Sequence, residues 1–489
     1  MKAEKLRFVM VAYLIIQVSV FIFVVFSCKS RLEREELIKH YGRREIREEK
    51  CDGKDDNKNG LIDEGCILWS YEFTHYPELS SPKICSNKNI VLLSCNIRYN
   101  FPLTVYALKL DKGKVIWKYN INDRSISPDF CLFWLPLFGQ PLEVSDLNGD
   151  GKDEVIVIYR SETSDSSQAL NLLSLDCGGN YYWTYKEEEK LIGGDRIFFI
   201  PPSVEDIDKD GKSEVVSGKI KIFWGDEPEE IESKFYFYFF DWEGILFKIY
   251  SFSLKAFSIP FFKPLFGDID GDGKKEMIFA SSEEPGWFWI MSKFKGKLYL
   301  IDFEKNAGEI KYYDIELYNP FALGDINSDG KEEIIIPSGT NLYAIDEKGN
   351  LLWNFNIGYH IASQPVVSDI DSDGKPEILF ISRDGKIKVL NGEGKLISEY
   401  EIWKRDEEVM VGASSLALVD IDFDGKKEII GWTDEVFMIK NGVKVWNFIV
   451  GGPKKDFEPP LVVNDDGDFK IVVTFANRIY VLKAGKVKK

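Results

Sequence analysis

The sequence contains very little histidine and no excess of basic residues, and both absences limit its function. Only three of its 489 residues are histidine, namely His40, His75 and His360. Three dispersed imidazoles argue against a histidine-rich zinc site and against a Ser-His-Asp triad. The 62 lysines and arginines are outnumbered by 80 acidic residues, giving a formal net charge of −18. Since phosphate binding needs a basic face, we expect no nucleic-acid partner.

Cysteine is also scarce, and none of the seven lies beyond Cys177. If Cys28 carries a lipid, six cysteines remain, and an even number suits three disulfide bridges. Buried reduced thiols are the alternative. The predicted bridges are Cys51–Cys66 around an acidic loop, Cys85–Cys95 across a hairpin and, by elimination, Cys131–Cys177.

The N-terminus carries an uncharged run over residues 8–27, which is long enough to span a bilayer as a helix. The residues Val25-Phe26-Ser27-Cys28 that end it resemble a bacterial lipoprotein box. Residues 1–28 are therefore either a signal with Cys28 as the lipidation site or an uncleaved transmembrane anchor, with a cytoplasmic chain as a third possibility. Residues 29–50 form a charged tether. The cysteines and acidic loops favour an exported, envelope-anchored protein, outside the cytoplasm and on the outer membrane, in the periplasm or at the cell surface.

One nine-residue loop, Asp-x-Asp/Asn-x-Asp-Gly-x-x-Glu, recurs six times at intervals of 44–62 residues. That spacing is typical of a propeller blade. Each loop is followed by a β-rich run, a second β-rich run, a glycine turn and a third run, which with the entering strand makes four strands per unit. The copies begin at Asp146, Asp206, Asp268, Asp325, Asp369 and Asp420.

Two units without the loop complete the predicted ring. Residues 74–122 form blade 1, and residues 459–489 supply only three strands of the last blade. We expect the segment 67–73 to add the missing fourth strand and close the ring, which removes exposed sheet edges. The prediction is an all-β, eight-bladed propeller over residues 67–489, with seven blades as the alternative. A Gly-x-x-x-Trp pattern in four blades predicts a turn into the fourth strand and a tryptophan packed between blades.

The repeated loop has the chemistry of a calcium site. Oxygen ligands at positions 1, 3, 5 and 9 converge on a hard cation at about 2.4 Å, and the glycine at position 6 permits the sharp turn. Strands rather than helices flank the loops, so they are not EF-hands. An acidic turn without metal is the alternative. The predicted ligands, for about six calcium ions, are Asp146, Asn148, Asp150, Glu154, Asp206, Asp208, Asp210, Glu214, Asp268, Asp270, Asp272, Glu276, Asp325, Asn327, Asp329, Glu333, Asp369, Asp371, Asp373, Glu377, Asp420, Asp422, Asp424 and Glu428.

A seventh acidic loop lies before the ring, at residues 51–66, between Cys51 and Cys66. It resembles the Cys-flanked acidic metal-binding motif of secreted bacterial proteins, and a solvated linker is the alternative. Its predicted ligands, for one further calcium ion, are Asp55, Asn57, Asn59 and Asp63. The segment 464–470 is a decayed copy that lacks the acid at position 9, and we expect it to bind no metal.

The six loops resemble FG-GAP/VCBS repeats, which occur in integrin α-chain propellers and in exported bacterial proteins. The Gly-x-x-x-Trp strands are more similar to quinoprotein-type repeats. The resemblance implies structural calcium in a β-propeller, and it does not imply one function.

Function is expected in the long aromatic loops of blades 1–4, on the face opposite the calcium loops. We predict a non-catalytic binding, adhesion or scaffold module for a protein or a glycan; a satellite core under the loops is the alternative for these side chains. A propeller-type polysaccharide lyase is the alternative function, and no catalytic constellation is evident. The candidate ligand patch consists of Trp134, Trp224, Trp287 and Trp289.

Overall fold

The computed structural model describes residues 51, 61–62, 65–74, 78–95, 103–122, 126, 141–164, 167–191, 195–223, 232–254, 263–282, 295–302, 315–316, 320–402, 415–433, 435–449, 458–475 and 477–487. These residues form strands, turns and bends, and they contain no helix. Within them, therefore, nothing helical is long and apolar enough to span a membrane. The predicted anchor at residues 8–27 and the tether at 29–50 lie outside the described residues.

The described strands fall into eight sheets, which are the blades of a β-propeller. The prediction of eight blades is confirmed, and seven is wrong. The first two strands of the chain, β1 (Leu61–Ile62) and β2 (Ile67–Glu72), pair with the last one. Blade 1 holds β3 (Glu78–Leu79), β4 (Lys83–Ile84), β5 (Asn89–Cys95), β6 (Leu103–Lys109) and β7 (Val115–Ile121). Blade 2 holds β8 (Leu142–Ser145), β9 (Glu154–Ser164), β10 (Ser167–Asp176) and β11 (Tyr181–Lys190).

Blades 3–8 repeat this antiparallel order of strands. Blade 3 holds β12 (Arg196–Glu205), β13 (Glu214–Phe223), β14 (Glu232–Phe240) and β15 (Leu246–Leu254), and blade 4 holds β16 (Leu265–Gly267), β17 (Glu276–Ser282), β18 (Lys295–Ile301) and β19 (Ile315–Glu316). Blade 5 holds β20 (Ala322–Gly324), β21 (Glu333–Ser338), β22 (Asn341–Ile345) and β23 (Leu351–Asn356), and blade 6 holds β24 (Val366–Ser368), β25 (Glu377–Ser382), β26 (Lys386–Leu390) and β27 (Leu396–Glu401). Blade 7 holds β28 (Ala417–Val419), β29 (Glu428–Trp432), β30 (Glu435–Lys440) and β31 (Val443–Ile449), and blade 8 holds β32 (Leu461–Asp465), β33 (Asp468–Phe475) and β34 (Arg478–Val487).

Burial follows the position of a strand within its blade. The second strands β21 and β25 are buried at every residue, whereas the outermost strands β23 and β27 alternate between exposed and half-buried residues. A strand covered on both faces reads as a continuous apolar run, and a strand at the rim does not. The hydrophobic core therefore lies between neighbouring blades.

The ring closes where the two ends of the propeller chain meet. Strand β2 pairs antiparallel with β34, with Trp69 opposite Val481. Beyond this pairing, the Phe73 backbone N–H donates to the carbonyl of Asn477 at 2.8 Å. The prediction that segment 67–73 completes the last blade is confirmed.

The tryptophans of the outermost strands dock on the next blade. The Trp353 indole N–H donates to the carbonyl of Gly392 at 2.8 Å, and Trp69 donates to Leu110 at 2.8 Å. The ring of Trp353 also covers Gly394, whose φ is +76° and where a Cβ atom would lie 2.5 Å from the indole. Glycine is therefore required at this turn both by backbone conformation and by space. The predicted packing between blades is confirmed.

Candidate metal centres

The six acidic loops join the first and second strands of blades 2–7. In each of them, position 1 follows the innermost strand directly, and the glutamate at position 9 is the first residue of the second strand. Because the sheet holds both ends of the loop, the side chains at positions 1 and 9 have fixed anchor points. The predicted ligand residues of the propeller thus lie at equivalent places in six consecutive blades.

Backbone N–H groups orient the carboxylates, as the loop of blade 6 illustrates. Asp369 accepts hydrogen bonds from the N–H groups of Asp373 at 3.2 Å and Gly374 at 2.9 Å. Asp371 accepts from the N–H of Asp373 at 3.2 Å. Oε2 of Glu377 accepts from the N–H of Ile370 at 3.0 Å. The same bond to the position 9 glutamate, at 2.8–3.0 Å, recurs in the other five loops.

Four of the loops bring three carboxylates together. In each, one oxygen from each of three side chains lies within 4.8 Å of the other two. The groups are Asp206/Asp208/Asp210, Asp268/Asp270/Glu276, Asp369/Asp371/Glu377 and Asp420/Asp422/Glu428. The other two loops carry an amide, Asn148 or Asn327, at position 3. These acidic clusters could hold metal ions, and their donors are all oxygens, as hard cations prefer.

Two positions of each loop have a left-handed backbone. The glycine at position 6 does, as predicted; Gly374, for example, has a φ of +85°. Position 4 also has a left-handed backbone. It is a glycine in only two loops, Gly149 and Gly271, so the sequence gives little sign of this conformation. The other four loops have φ of +60° to +63° at this position, at Lys209, Ser328, Ser372 and Phe423. This double turn folds the loop back on itself; the carboxylates at positions 1, 3 and 5 meet in blade 3, and those at positions 1, 3 and 9 meet in blades 4, 6 and 7.

The glutamates at position 9 lie in an environment that disfavours their charge. Burial, and after it the neighbouring aspartates, raises the pKa of Glu214, Glu276, Glu333 and Glu428 to about 7. The same causes raise the pKa of Glu154 and Glu377. Clustered carboxylates of this kind need a positive charge among them to remain ionised without mutual repulsion.

The cysteines agree with the prediction in one bridge and differ in the others. Cys51–Cys66 is present, with Cα atoms 5.7 Å apart. Cys85, however, pairs with Cys177, at a Cα distance of 6.2 Å. The predicted Cys85–Cys95 and Cys131–Cys177 pairings are therefore wrong. The physical reason is that Cys85 lies in the turn before the extended strand β5 and Cys95 ends that strand, so the two are too far apart for a disulfide.

The Cys85–Cys177 bridge links two blades. Cys85 precedes β5 of blade 1, and Cys177 follows β10 of blade 2. The carbonyl of Cys177 also accepts hydrogen bonds from the Trp117 indole at 3.1 Å and the Asn87 amide at 3.2 Å, both from blade 1. Cys95 is disulfide-bonded as well, and Cys131 lies outside the described residues.

Several candidate site residues fall outside the described part of the chain. They are the ligands of the seventh loop, the lipidation site and the aromatic patch, namely Asp55, Asn57, Asn59, Asp63, Cys28, Trp134, Trp224, Trp287 and Trp289. The two ends of the seventh loop are nevertheless joined by the Cys51–Cys66 bridge.

A second charged cluster, which the sequence does not reveal, connects the inner strands. Glu143 of β8 contacts Lys263 at the entrance to blade 4, and it contacts Lys83 of β4 at 3.2 Å. Burial by itself raises the pKa of Glu143, but the two lysines lower it overall. The carboxylate therefore remains charged and forms ion pairs that connect blades 1, 2 and 4. Its partners are distant in sequence, which is why no local motif points to it.

Comparison with known proteins finds the same fold in solved structures and two remote relatives by sequence. No family model matches the chain. It is 28% identical to the rhamnogalacturonan exolyase YesX and 25% identical to the rhamnogalacturonan endolyase YesW, both of Bacillus subtilis (strain 168). Each match covers 35% of this chain and only 31% of the lyase. The quinohemoprotein alcohol dehydrogenase of Comamonas testosteroni superposes with a TM-score of 0.52 at 12% identity, covering 87% of this chain and 77% of the enzyme, a likeness in fold alone.

Proposed function

We propose that the protein is a calcium-binding β-propeller that acts as a non-catalytic binding module on the cell envelope. The observation that carries the proposal is the recurrence of one oxygen-lined loop at the same place in six consecutive blades. A fold alone does not specify a function, whereas a repeated site does restrict the chemistry. Membership of the FG-GAP/VCBS repeat family, which the loop motif resembles, is part of this proposal.

Calcium is the metal that best fits the donor set. The candidate ligands are carboxylate and amide oxygens, and neither histidine nor cysteine occurs in the loops. Calcium accepts six to eight such oxygens in a flexible geometry, whereas magnesium demands a nearly ideal octahedron. Each loop combines shorter aspartate and longer glutamate side chains, which backbone N–H groups orient. Such an irregular set of oxygens suits calcium better than the smaller magnesium ion.

The cross-links favour an extracytoplasmic location in this proposal. Structural disulfides persist in oxidising compartments, and the chain has bridges at Cys51–Cys66 and Cys85–Cys177. Residues 8–27, as a signal with Cys28 lipidated or as an anchor, would tether the propeller to a membrane. The aromatic loops of blades 1–4, with Trp134, Trp224, Trp287 and Trp289, would then face a glycan or a protein partner.

Calcium dependence is tested by the melting temperature of the full chain with and without EDTA. A cation that binds only the folded state raises stability, so chelation should lower the melting temperature and added calcium should restore it. Magnesium at the same concentration is the control for ionic strength. Equal melting in EDTA and in calcium would contradict the proposal.

Ligand binding is tested by titration with plant and bacterial polysaccharides in calcium. Loss of a sugar signal in Trp134→Ala or Trp224→Ala, with an unchanged calcium-dependent melting temperature, would support a carbohydrate ligand. If no glycan binds, a stoichiometric envelope protein that co-purifies with the full chain would favour the scaffold alternative.

A polysaccharide lyase is the second candidate, and the similarity to the two rhamnogalacturonan lyases favours it. It belongs to the proposal only, because the chain spans about a third of each relative's length. Elimination creates a carbon–carbon double bond, so incubation with rhamnogalacturonan should release an ultraviolet-absorbing product. Release of that product by the wild-type chain, lost on removal of calcium and restored by its return, would replace the non-catalytic proposal.

A further inference from the structure

The acidic loop of blade 7 holds a cation of the protein's own between two of its candidate ligands. In blade 7, the Lys440 ammonium contacts Asp422 at position 3 and lies 3.4 Å from Oε1 of Glu428 at position 9. The side chains of Asp422 and Glu428 are only 9% and 3% exposed, so this pair is largely removed from water. Both carboxylates belong to the three-oxygen cluster of this loop.

The other blades place an acid or an amide where blade 7 has its lysine. The position is the residue across the sheet from the glutamate at position 9; in blade 2, Asp176 pairs directly with Glu154. In blades 3–7 the pairing of the second and third strands begins one residue further on, and extending its register by one residue identifies the equivalent position. The residues there are Asp241, Asp302, Asp346 and Asn391 in blades 3–6 and Lys440 in blade 7.

A difference in turn length explains why blade 7 tolerates a lysine. In blade 5, Asp346 pairs with Asn350 across a turn of three residues, and its side chain caps this turn by accepting hydrogen bonds from the N–H groups of Lys348 at 2.9 Å and Asn350 at 2.7 Å. In blade 7, Lys440 pairs with Val443 across a turn of only two residues, Asn441 and Gly442, with φ of +48° and +78°. Such an Asn-Gly turn closes by backbone pairing and needs no cap. The side chain at position 440 is therefore available to the loop.

We propose that the Lys440 ammonium takes the place of calcium in blade 7, so that the propeller binds five calcium ions rather than the six that its acidic loops suggest. This inference rests on the proposed calcium binding. An ammonium and a calcium ion cannot both occupy the space between Asp422 and Glu428, because like charges at that distance repel. To bind here, calcium would have to displace a half-buried lysine that already forms ion pairs with Asp422 and Glu428, two of the candidate calcium ligands.

The test counts bound calcium in the full chain and in single variants, by elemental analysis after dialysis against calcium-buffered solution. Lys440→Asn copies blade 6, where Asn391 faces Glu377, and it should bind one ion more per chain than the wild type. Asn391→Lys copies blade 7 and should bind one ion fewer. Lys440→Arg, which keeps the positive charge, should leave the count unchanged.

A matched control excludes a general effect of removing a lysine from this blade. Lys444 lies on the neighbouring strand β31 and contacts Glu435 rather than the loop. Lys444→Asn should therefore bind as many ions as the wild type. The thermal melting curve of each variant checks that the ring is folded.

Each outcome bears on a different claim. A gain of one ion in Lys440→Asn supports the inference, as does a loss of one in Asn391→Lys. An equal count in the wild type and in folded Lys440→Asn overturns it, while calcium binding as such still stands. If the wild type and all variants bind no calcium, the proposed function itself is wrong and this inference with it.

Discussion

Blade 8 and blades 2–7 join their first two strands in different ways. In blade 6, residues 369–376 lie between β24 and β25 and carry the carboxylates of Asp369, Asp371 and Asp373. In blade 8, only Asp466 and Gly467 lie between β32 and β33, with φ of +56° and +85°. That is the backbone of a type I′ hairpin turn. Two residues are thus sufficient to connect these strands, so the longer acidic loops are not required by the fold.

The charge of the short turn is balanced within the protein. Asp465 forms ion pairs with Lys470 at 2.5 Å and with Lys88 of blade 1 at 2.6 Å. No equivalent lysine pair faces the clustered carboxylates in the described loop of blade 6, where one oxygen each of Asp369, Asp371 and Glu377 lie within 4.8 Å of one another. We therefore expect the acidic loops of blades 2–6 to take their positive charge from a bound cation, and the loop of blade 7 to take it from Lys440.

The two disulfides whose partners are both described lie near one part of the ring. Cys51–Cys66 directly precedes β2, which closes blade 8, and Cys85–Cys177 fastens blade 1 to blade 2. No cysteine occurs after Cys177. Among the described residues, these bridges thus lie near the seam where the two ends of the propeller chain meet, whereas the acidic loops continue around the ring to blade 7. Removing calcium and removing disulfides should consequently weaken different parts of the molecule.

The largest effect is expected from removing calcium altogether. A ligand present at 100 times its dissociation constant stabilises the folded state by about 2.7 kcal/mol per site. Five occupied loops should therefore together contribute more than about 10 kcal/mol. Hydrogen exchange with and without EDTA measures where this stability resides. Protection should fall most in the second strands of blades 3–6 and least in β33 and β34; a uniform loss of protection would contradict the division of the ring.

Reduction of the disulfides should have the next largest effect. In the chain-entropy account, a bridge that closes about 15 residues contributes about 3 kcal/mol, and one that closes about 100 contributes about 4.7 kcal/mol. The sequence separations here are 15 for Cys51–Cys66 and 92 for Cys85–Cys177. The double variant Cys85→Ser/Cys177→Ser should accordingly lose more stability in urea than Cys51→Ser/Cys66→Ser. Both losses should be of similar size in calcium and in EDTA, and a loss that vanishes in EDTA would link the bridges to the metal sites.

A single acidic loop should contribute less to the free energy of unfolding than all calcium ions together or than the disulfides. Asp369→Asn retains an oxygen that can accept the N–H bonds of the turn but removes one negative charge from the cluster of blade 6. We expect it to lower the free energy of unfolding in calcium by no more than the binding free energy of one ion, and to lower it much less in EDTA. Asp465→Asn in blade 8 is the matched control, because it should have the same small effect in both buffers. A calcium-dependent effect of Asp465→Asn would remove the distinction between the two kinds of turn.

The sequence was sufficient to predict the features that repeat with the blades. The spacing of the acidic loops gave the number of blades, and the position of Trp69 relative to the other docking tryptophans gave the closing strand. Each of these predictions rests on residues that are close together in one repeat. The prediction of calcium rests on the same pattern and remains a prediction.

The features that the sequence did not predict lie between repeats. Cys85 meets Cys177 because two neighbouring blades bring a turn of each together, and counting cysteines along the chain cannot reveal that. Glu143 likewise meets Lys263 only in the folded ring, because the two residues belong to different blades. The lysine at position 440 is visible only once β29 and β30 are paired, because it is the sheet register that places it across from Glu428.

The smallest effect concerns the ion pairs of the blade 8 turn and their dependence on pH. Hydrogen bonds from Lys470 and Lys88 lower the pKa of Asp465 to about 2, against about 3.9 for an unfolded aspartate. A carboxyl with a lowered pKa stabilises the folded protein above the unfolded pKa, and the contribution is lost as the pH falls from about 4 towards 2. The side chain is part-exposed, so we expect less than about 1 kcal/mol.

The measurement compares the wild type with Asp465→Asn by urea unfolding in EDTA at a series of pH values. The difference in their free energy of unfolding should be constant near neutral pH and shrink as the solution becomes acidic. Asp466→Asn is the control, because that side chain is 93% exposed and any effect there should be smaller. A difference that does not change with pH would mean that the lysines do not hold Asp465 charged. The seam would then depend on its disulfides, on strand β2 and on the apolar packing between blades 8 and 1. The contrast with the blades that carry acidic loops would rest on turn length rather than on charge.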